Sequence, residues 1–124
     1  MTTKILLVDD SATVLMMERM ILASERFEIV TASNGEEAQL KARIEQPNLI
    51  LMDVVMPRMN GIQACKALRQ DPSTKHIPII LVTTRGEAET MEQGYESGCN
   101  DYVTKPVNSA ELLGKIRSIL GAAK

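Results

Sequence analysis

Four short apolar runs in this chain of 124 residues each end in a group able to do chemistry. Leu49-Ile50-Leu51-Met52 runs straight into Asp53, and Pro57 closes the segment soon after. Lys4-Ile5-Leu6-Leu7-Val8 ends in Asp9-Asp10, Ile79-Ile80-Leu81-Val82 in Thr83-Thr84, and Asp101-Tyr102-Val103-Thr104 in Lys105-Pro106. Singly, each has an ordinary structural use: an aspartate caps a helix, a threonine suits a strand, Lys-Pro suits a loop. Together, at matching run ends, they form a constellation. Two carboxylates about 4 Å apart repel by about 4 kcal/mol at an effective dielectric of about 20, so three need a cation or shifted proton affinities. Hard oxygen ligands without His or Cys favour Mg²⁺, which keeps waters and recruits phosphate oxygens. A lysine adds a point charge for a phosphate, and a threonine hydroxyl adds a hydrogen bond. Carboxylate, Mg²⁺ and lysine together suit phosphoryl transfer to an aspartate, and Asp53 is the aspartate expected to take it.

The elements around these residues must bring the run ends to one edge. An apolar run without alternation is a strand buried on both faces of a parallel sheet, and open α/β sheets place ligands at the carboxyl ends of such strands. Ser11 can cap a helix whose apolar positions are Val14, Met17, Ile21 and Leu22, with Met16 and Met20 as partly buried filler. Glu28 to Ala32 is a second strand, with nothing comparable at its end. Ser33 and Glu36 have capping-box spacing and would open a helix from Glu36 to Glu45. Arg58 to Gly61 signals a turn before a helix from Ile62 to Arg69, and Asp71 to Thr74 begins a polar connection. The segment from Glu87 to Ser97 is a weak helix, with Ala88, Met91 and Tyr95 as its apolar positions and Gly94 interrupting it. Asn108 and Glu111 repeat the capping-box spacing before a strongly apolar last helix that Gly121 stops. Strand followed by helix, five times, with right-handed crossovers, makes an α/β fold: a five-stranded parallel sheet with helices on both faces. Periodicity alone leaves the strand order open.

Composition narrows the function classes. The length fits one domain, and 44% hydrophobic with 24% charged residues is a globular balance. A net charge of −2, no basic run and 2% aromatics argue against a nucleic-acid surface. No segment approaches the roughly 18 apolar residues of a membrane span, and no signal peptide precedes the first strand, so a cytoplasmic protein is expected. Cys65 and Cys99 lack metal or redox spacing and are expected to be reduced and inert; His76 has no partner acid or nucleophile and is expected at the surface. No GxxxxGK or GxGxxG phosphate cradle occurs.

Val8-Asp9-Asp10-Ser11, Leu51 to Pro57 with Asn60-Gly61, Val82-Thr83-Thr84 and Asp101 to Pro106 together resemble the receiver domain of two-component response regulators. The resemblance covers essentially the whole chain, 1–124, with every motif in order and spacing. It implies a doubly wound, flavodoxin/CheY-like (βα)5 sheet of order 2-1-3-4-5. It implies that Asp53 accepts a phosphoryl group from a histidine on a sensor kinase or phosphotransfer protein. Asp9, Asp10, Asp53 and the backbone carbonyl of Val55 would hold Mg²⁺. Thr83 would hydrogen-bond the phosphoryl group, Lys105 would pair with it, and Tyr102 would be the switch aromatic that swings inward as Thr83 moves. The Lys105-Pro106 bond is expected to be cis. Thr84 stands where the family often has a small residue, so its side chain could crowd access. Val55 and Arg85 lie where the family tunes attack by water, and an apolar Val55 cannot orient one, which implies slow self-dephosphorylation.

Three function classes compete. A phosphorylation-switched signalling module, not an enzyme beyond its own phosphorylation and dephosphorylation, accounts for all the site residues. A Mg²⁺-dependent aspartyl-phosphate hydrolase of the haloacid-dehalogenase type wants its nucleophile on the first strand, an acid two positions later and a cap insertion; Ser11 stands there instead and no cap exists. A flavin or nucleotide carrier wants glycines and hydroxyls after the first strand, where Asp9 and Asp10 would repel phosphate. With no residue after Lys124, the chain reads as a stand-alone receiver, the alternative being the receiver part of a longer transcriptional regulator. Output is then binding of a protein target through the fourth helix, fifth strand and fifth helix, or phosphoryl relay, as a monomer or phosphorylation-dependent dimer, and by analogy in chemotaxis or motility signalling.

Overall fold

The strongest sequence signal, apolar runs without alternation, corresponds to strands covered on both sides. The computed structural model describes residues 2–56, 59–84 and 88–122. In chain order it holds β1 (Thr3–Val8), α1 (Ala12–Leu22), β2 (Phe27–Ala32), α2 (Gly35–Glu45), β3 (Leu49–Asp53), α3 (Gly61–Gln70), β4 (Ile79–Thr84), α4 (Ala88–Ser97), β5 (Asp101–Lys105) and α5 (Ser109–Ala122). The strands form one parallel sheet of order β2-β1-β3-β4-β5. This is the doubly wound, flavodoxin/CheY-like arrangement that the resemblance implies.

Period-two alternation splits the core in two. Leu6, Val8, Ile50, Met52, Ile79 and Leu81 pack with Ala38 and Ala42 of α2 and Ala64, Cys65 and Leu68 of α3. Ile5, Leu7, Leu49, Leu51, Ile80, Val82 and Val103 pack against Leu22 of α1 and Leu112 and Ile116 of α5. The same alternation carried to the strand ends puts Asp9, Asp53 and Lys105 in phase with the α1/α5 side. Thr83 and Tyr102 are in phase with the other side.

At the opposite, amino edge of the sheet, Arg69 of α3 knits several segments together. Its Nε donates to the Gly98 carbonyl (2.8 Å), Nη1 to the carbonyls of Ile77 (2.7 Å) and Lys75 (3.1 Å), and Nη2 to Asn100 Oδ1 (2.8 Å). Asn100 Oδ1 also accepts from the Ile79 N–H, and the Asn100 N–H donates back to the Ile79 carbonyl. Gly98 ends α4 at φ +104°, and a Cβ there would lie 2.8 Å from Arg69 Cγ, so both its conformation and the closeness of Arg69 demand glycine.

Several local expectations shift. The α2 cap is Asn34, whose side chain accepts from the Glu37 N–H, while the Glu37 carboxylate reaches back to the N–H and hydroxyl of Ser33. The cap lies one residue later than Ser33 and Glu36 suggest, because Asn34 also accepts well and Gly35 starts the helix, and Glu37 answers Ser33 rather than the Asn34 N–H, so no reciprocal box closes. Asn108 does accept from the Glu111 N–H, but α5 runs through Gly121 to Ala122. Gly94 sits inside α4 without interrupting it, against Leu81. Met16, Met17 and Met20 are exposed, at 64%, 51% and 71%, because the inward stripe of α1 is Val14, Leu15, Glu18, Ile21 and Leu22. Cys65 and Cys99 are buried free thiols. The Lys105-Pro106 bond is cis. Pro57, Arg58, Arg85 and Glu87 lie outside the described residues, as do the side chains of Thr84, Ala88 and Met91. Among the described residues no helix is long and apolar enough to cross a membrane.

Candidate functional site

Three ladders bring the sequence candidates to one edge. Val8 pairs with Met52, so Asp9 and Asp53 are the next positions on neighbouring strands. Asp53 pairs with Val82, leaving Thr83 one step further out, and Thr84 pairs with Lys105. Asp9, Asp10 and Asp53 each offer a carboxylate oxygen, and the three oxygens lie within 4.8 Å of one another. Asp9 and Asp53 are buried, whereas Asp10 is exposed at the rim.

Lys105 Nζ lies 3.1 Å from Asp53 Oδ1 and 3.9 Å from Asp9 Oδ2. Asp9 Oδ1 accepts from the Ser11 N–H at 2.9 Å, and Ser11 in turn caps α1 by accepting from the Val14 N–H. The turn after β3 is held close by Gly61, whose N–H donates to the Val54 carbonyl at 2.9 Å. A Cβ on Gly61 would fall on the Asp53 carbonyl oxygen and 2.9 Å from Val54 Cα. Asn60 and Gln63 form the reciprocal capping box that starts α3 there.

The electrostatics are those of crowded acids under partial compensation. Burial pushes the Asp53 carboxyl above its ordinary value, while the Lys105 ammonium and the Val55 N–H pull it back. Burial also raises Asp9; the Ser11 N–H opposes that and the Asp53 charge adds to it. Burial works against the Lys105 ammonium, yet Asp53, by hydrogen bond and charge, leaves it raised overall, with help from Asp9 and Glu18. Asp9 Oδ2 and Thr83 Oγ1 are buried without a hydrogen-bond partner. Orphaned buried oxygens are costly, so they mark a place made for a ligand. An all-oxygen donor set, one member exposed to water, fits Mg²⁺. Val55 presents its side chain to solvent, 66% exposed, at the lip of this pocket.

Tyr102 is half-buried on the other side of the sheet. Its ring meets Tyr95 of α4 edge to face, with centroids 5.8 Å apart, and Lys115 of α5 sits 4.8 Å over it. Asp101 ties the same three elements, meeting Lys115 Nζ at 3.4 Å and accepting from the Tyr95 hydroxyl at 3.4 Å.

Sequence reasoning missed Glu18. It is 2% exposed, its Oε1 has no hydrogen-bond partner, and burial, reinforced by Asp9 and Asp53, pushes its carboxyl up to about 8. The signal was present: Val14, Glu18 and Ile21 are spaced i, i+4, i+7, so an acid fills the middle of an apolar stripe.

The sequence profile of the response regulator receiver domain matches residues 5–117. The chain is 36% identical to the phosphate regulon transcriptional regulatory protein PhoB of Rhizobium meliloti, over all of this chain and 55% of PhoB, so it spans about half the length of that relative. Protein PilH of Pseudomonas aeruginosa is 39% identical over 94% of this chain and 97% of its own. Chemotaxis protein CheY4 of Vibrio cholerae superposes with a TM-score of 0.89 at 33% identity, covering 96% and 99% of the two chains. The receiver domain of sensor histidine kinase PA1611 from Pseudomonas aeruginosa, with magnesium coordinated in its active-site cleft, superposes equally well, TM-score 0.89 at 27% identity over 98% and 99%. Profile, relatives and architecture agree: this chain belongs to the response regulator receiver domain family.

Proposed function

We propose that Asp53 is the phosphoacceptor of a phosphorylation-switched signalling module. Receiver domains bind Mg²⁺ at an acidic pocket, accept phosphoryl groups from histidine kinases and act on targets. The observation that carries the assignment here is the 3.1 Å pairing of Asp53 with Lys105 inside a cluster of three carboxylates. In the transfer, an Asp53 carboxylate oxygen attacks the phosphorus of a phosphohistidine on a kinase or phosphotransfer protein. The P–O bond forms as the P–N bond breaks, and the departing imidazole takes up a proton.

Asp9, Asp10 and Asp53, with the carbonyl of Val55, are the groups that would hold Mg²⁺, which when bound neutralises the charge building on the phosphoryl oxygens. Lys105 supplies a fixed positive charge to the same oxygens. The unpartnered Thr83 hydroxyl donates to one of them. Drawing Thr83 toward the site frees room on its own side of the sheet, where Tyr102 stands on the adjacent strand. Tyr102 contacts α4 and α5, so its movement alters the α4-β5-α5 face, the surface for a protein target or for a second copy. The likeness to CheY4 and PilH favours a chemotaxis-type or motility-type cytoplasmic pathway. The net charge of −2 does not favour direct nucleic-acid contact.

Intact mass after incubation with acetyl phosphate and Mg²⁺ tests the assignment, beside an Asp53→Asn variant and a metal-free control. One added phosphoryl group, absent from both controls, is expected. Phosphate on the Asp53→Asn protein would overturn it.

A further inference from the structure

Glu18 stands behind the site, not in it. On the α1/α5 side of the sheet, a cleft of about 100 Å³ is lined by Val14, Met17, Glu18 and Ile21 of α1 and by Lys105, Pro106 and Val107. Its accessible walls are almost wholly apolar, although Glu18 and Lys105 are among the residues that line it. Burying a carboxyl without a partner is costly, and a leucine would fill this helix position without that cost. An apolar stripe broken in this way points to function at the break.

Lys105 is a cation whose charge acts on Glu18, and the two line the same cleft. Lys105 leans the other way, onto Asp53 and Asp9. Those are the oxygens that Mg²⁺ would claim. Two added positive charges within a few ångströms of an ammonium repel it strongly, so Lys105 must yield ground as the ion enters. Asp9, Asp53 and Lys105 are in phase with the α1 side, so the open direction is the cleft, and the unpartnered Oε1 of Glu18 is the acceptor there.

We infer that Glu18 is a positioning residue: it receives the Lys105 ammonium when Mg²⁺ occupies the aspartate pocket, and holds it beside the site for the phosphoryl oxygens. A carboxyl oxygen accepts from an ammonium whether or not the carboxyl carries a proton, so the handover needs no change of charge state. The inference rests on reading the three aspartates as the Mg²⁺ site. It assigns Glu18 no contact with the phosphoryl group.

The test is the Mg²⁺ dissociation constant, by calorimetry on the intact chain, for wild type, Glu18→Met, Glu18→Gln, Lys105→Ala and the Glu18→Met/Lys105→Ala double variant. Methionine fills the apolar cleft and removes the acceptor; glutamine keeps an acceptor oxygen without the charge. Glu18→Met is expected to weaken Mg²⁺ binding about fivefold, the size of coupling found between side chains sharing a partner, and Glu18→Gln less. In the Lys105→Ala background, Glu18→Met should change binding less than about twofold. Equal weakening in both backgrounds would make Glu18 a distant charge and overturn the handover, as would no weakening in either. A wild-type chain that binds no Mg²⁺ would instead overturn the reading of the pocket, and this inference with it.

Discussion

The Lys105 ammonium sits between two buried carboxylates, 3.1 Å from Asp53 Oδ1 and 3.9 Å from Asp9 Oδ2. A divalent cation held by the three aspartates would share those carboxylates with the lysine. Lys105→Ala is expected to tighten Mg²⁺ binding several-fold by calorimetry, while slowing phosphorylation by acetyl phosphate. The same change should lower stability in metal-free buffer by about 1–2 kcal/mol in urea, a discounted figure because the lysine is one-third exposed.

The acids repel one another when no ion is present. Asp10 contributes one of three oxygens lying within 4.8 Å, and it is exposed, so replacing it disturbs little packing. Asp10→Asn is expected to raise the melting temperature in the presence of a chelator and to abolish the further rise that Mg²⁺ gives the parent chain.

Glu18 makes stability depend on pH. Its folded-state value of about 8 stands above the ordinary 4.5, so the folded chain holds this proton more tightly than the unfolded one. The contribution is full below about 4.5 and is lost as the pH rises through about 8. Across that window stability should fall by up to about 1.4 kcal/mol per pH unit relative to Glu18→Gln. Urea unfolding of both proteins at several pH values between 5 and 9 measures the difference, and parallel profiles would contradict it.

The turn beneath Asp53 tolerates no side chain at Gly61. Gly61→Ala would drive a methyl into the Asp53 carbonyl, forcing β3 or the start of α3 to move. A loss of about 2 kcal/mol or more is expected, together with impaired phosphorylation even where the chain remains folded.

Val55 is expected to govern the lifetime of the phosphorylated form. Exposed at the lip of the pocket, its apolar side chain holds no water in line with a phosphoryl group. The parent phosphoprotein should decay slowly, and Val55→Asn should shorten its half-life several-fold, as followed by intact mass after excess acetyl phosphate is removed.

What the sequence discloses follows from how strongly each signal is driven. Leu49–Met52 and Ile79–Val82 lie in strands covered on both faces, so their lack of alternation is unambiguous, and the residues at their ends follow directly. The helix caps are less sharply determined. Ser33 and Asn34 are both residue types that cap a helix, with little energy between the choices; here Asn34 accepts from the Glu37 N–H while Ser33 donates to the Glu37 carboxylate. Met17 misled because, three after Val14 and four before Ile21, it has the spacing of the buried stripe, yet it is exposed like Met16 and Met20. Glu18 went unread for the converse reason: an acid in a helix passes for surface until its neighbours are placed in space. Arg69 gave no sequence signal at all, since its four acceptors come from residues 75, 77, 98 and 100.

Arg69 also sets the mechanics of the switch. By gripping the end of α4 at Gly98 and the entrances to β4 and β5, it clamps one end of the three elements whose other ends frame the phosphoacceptor pocket. If phosphorylation of Asp53 draws Thr83 inward as proposed, β4 and α4 are expected to swing about the clamped end like cantilevers, the tip nearest the pocket travelling furthest. The start of α4 should then register phosphorylation most strongly and its last turn least, a gradient visible along the helix in amide exchange.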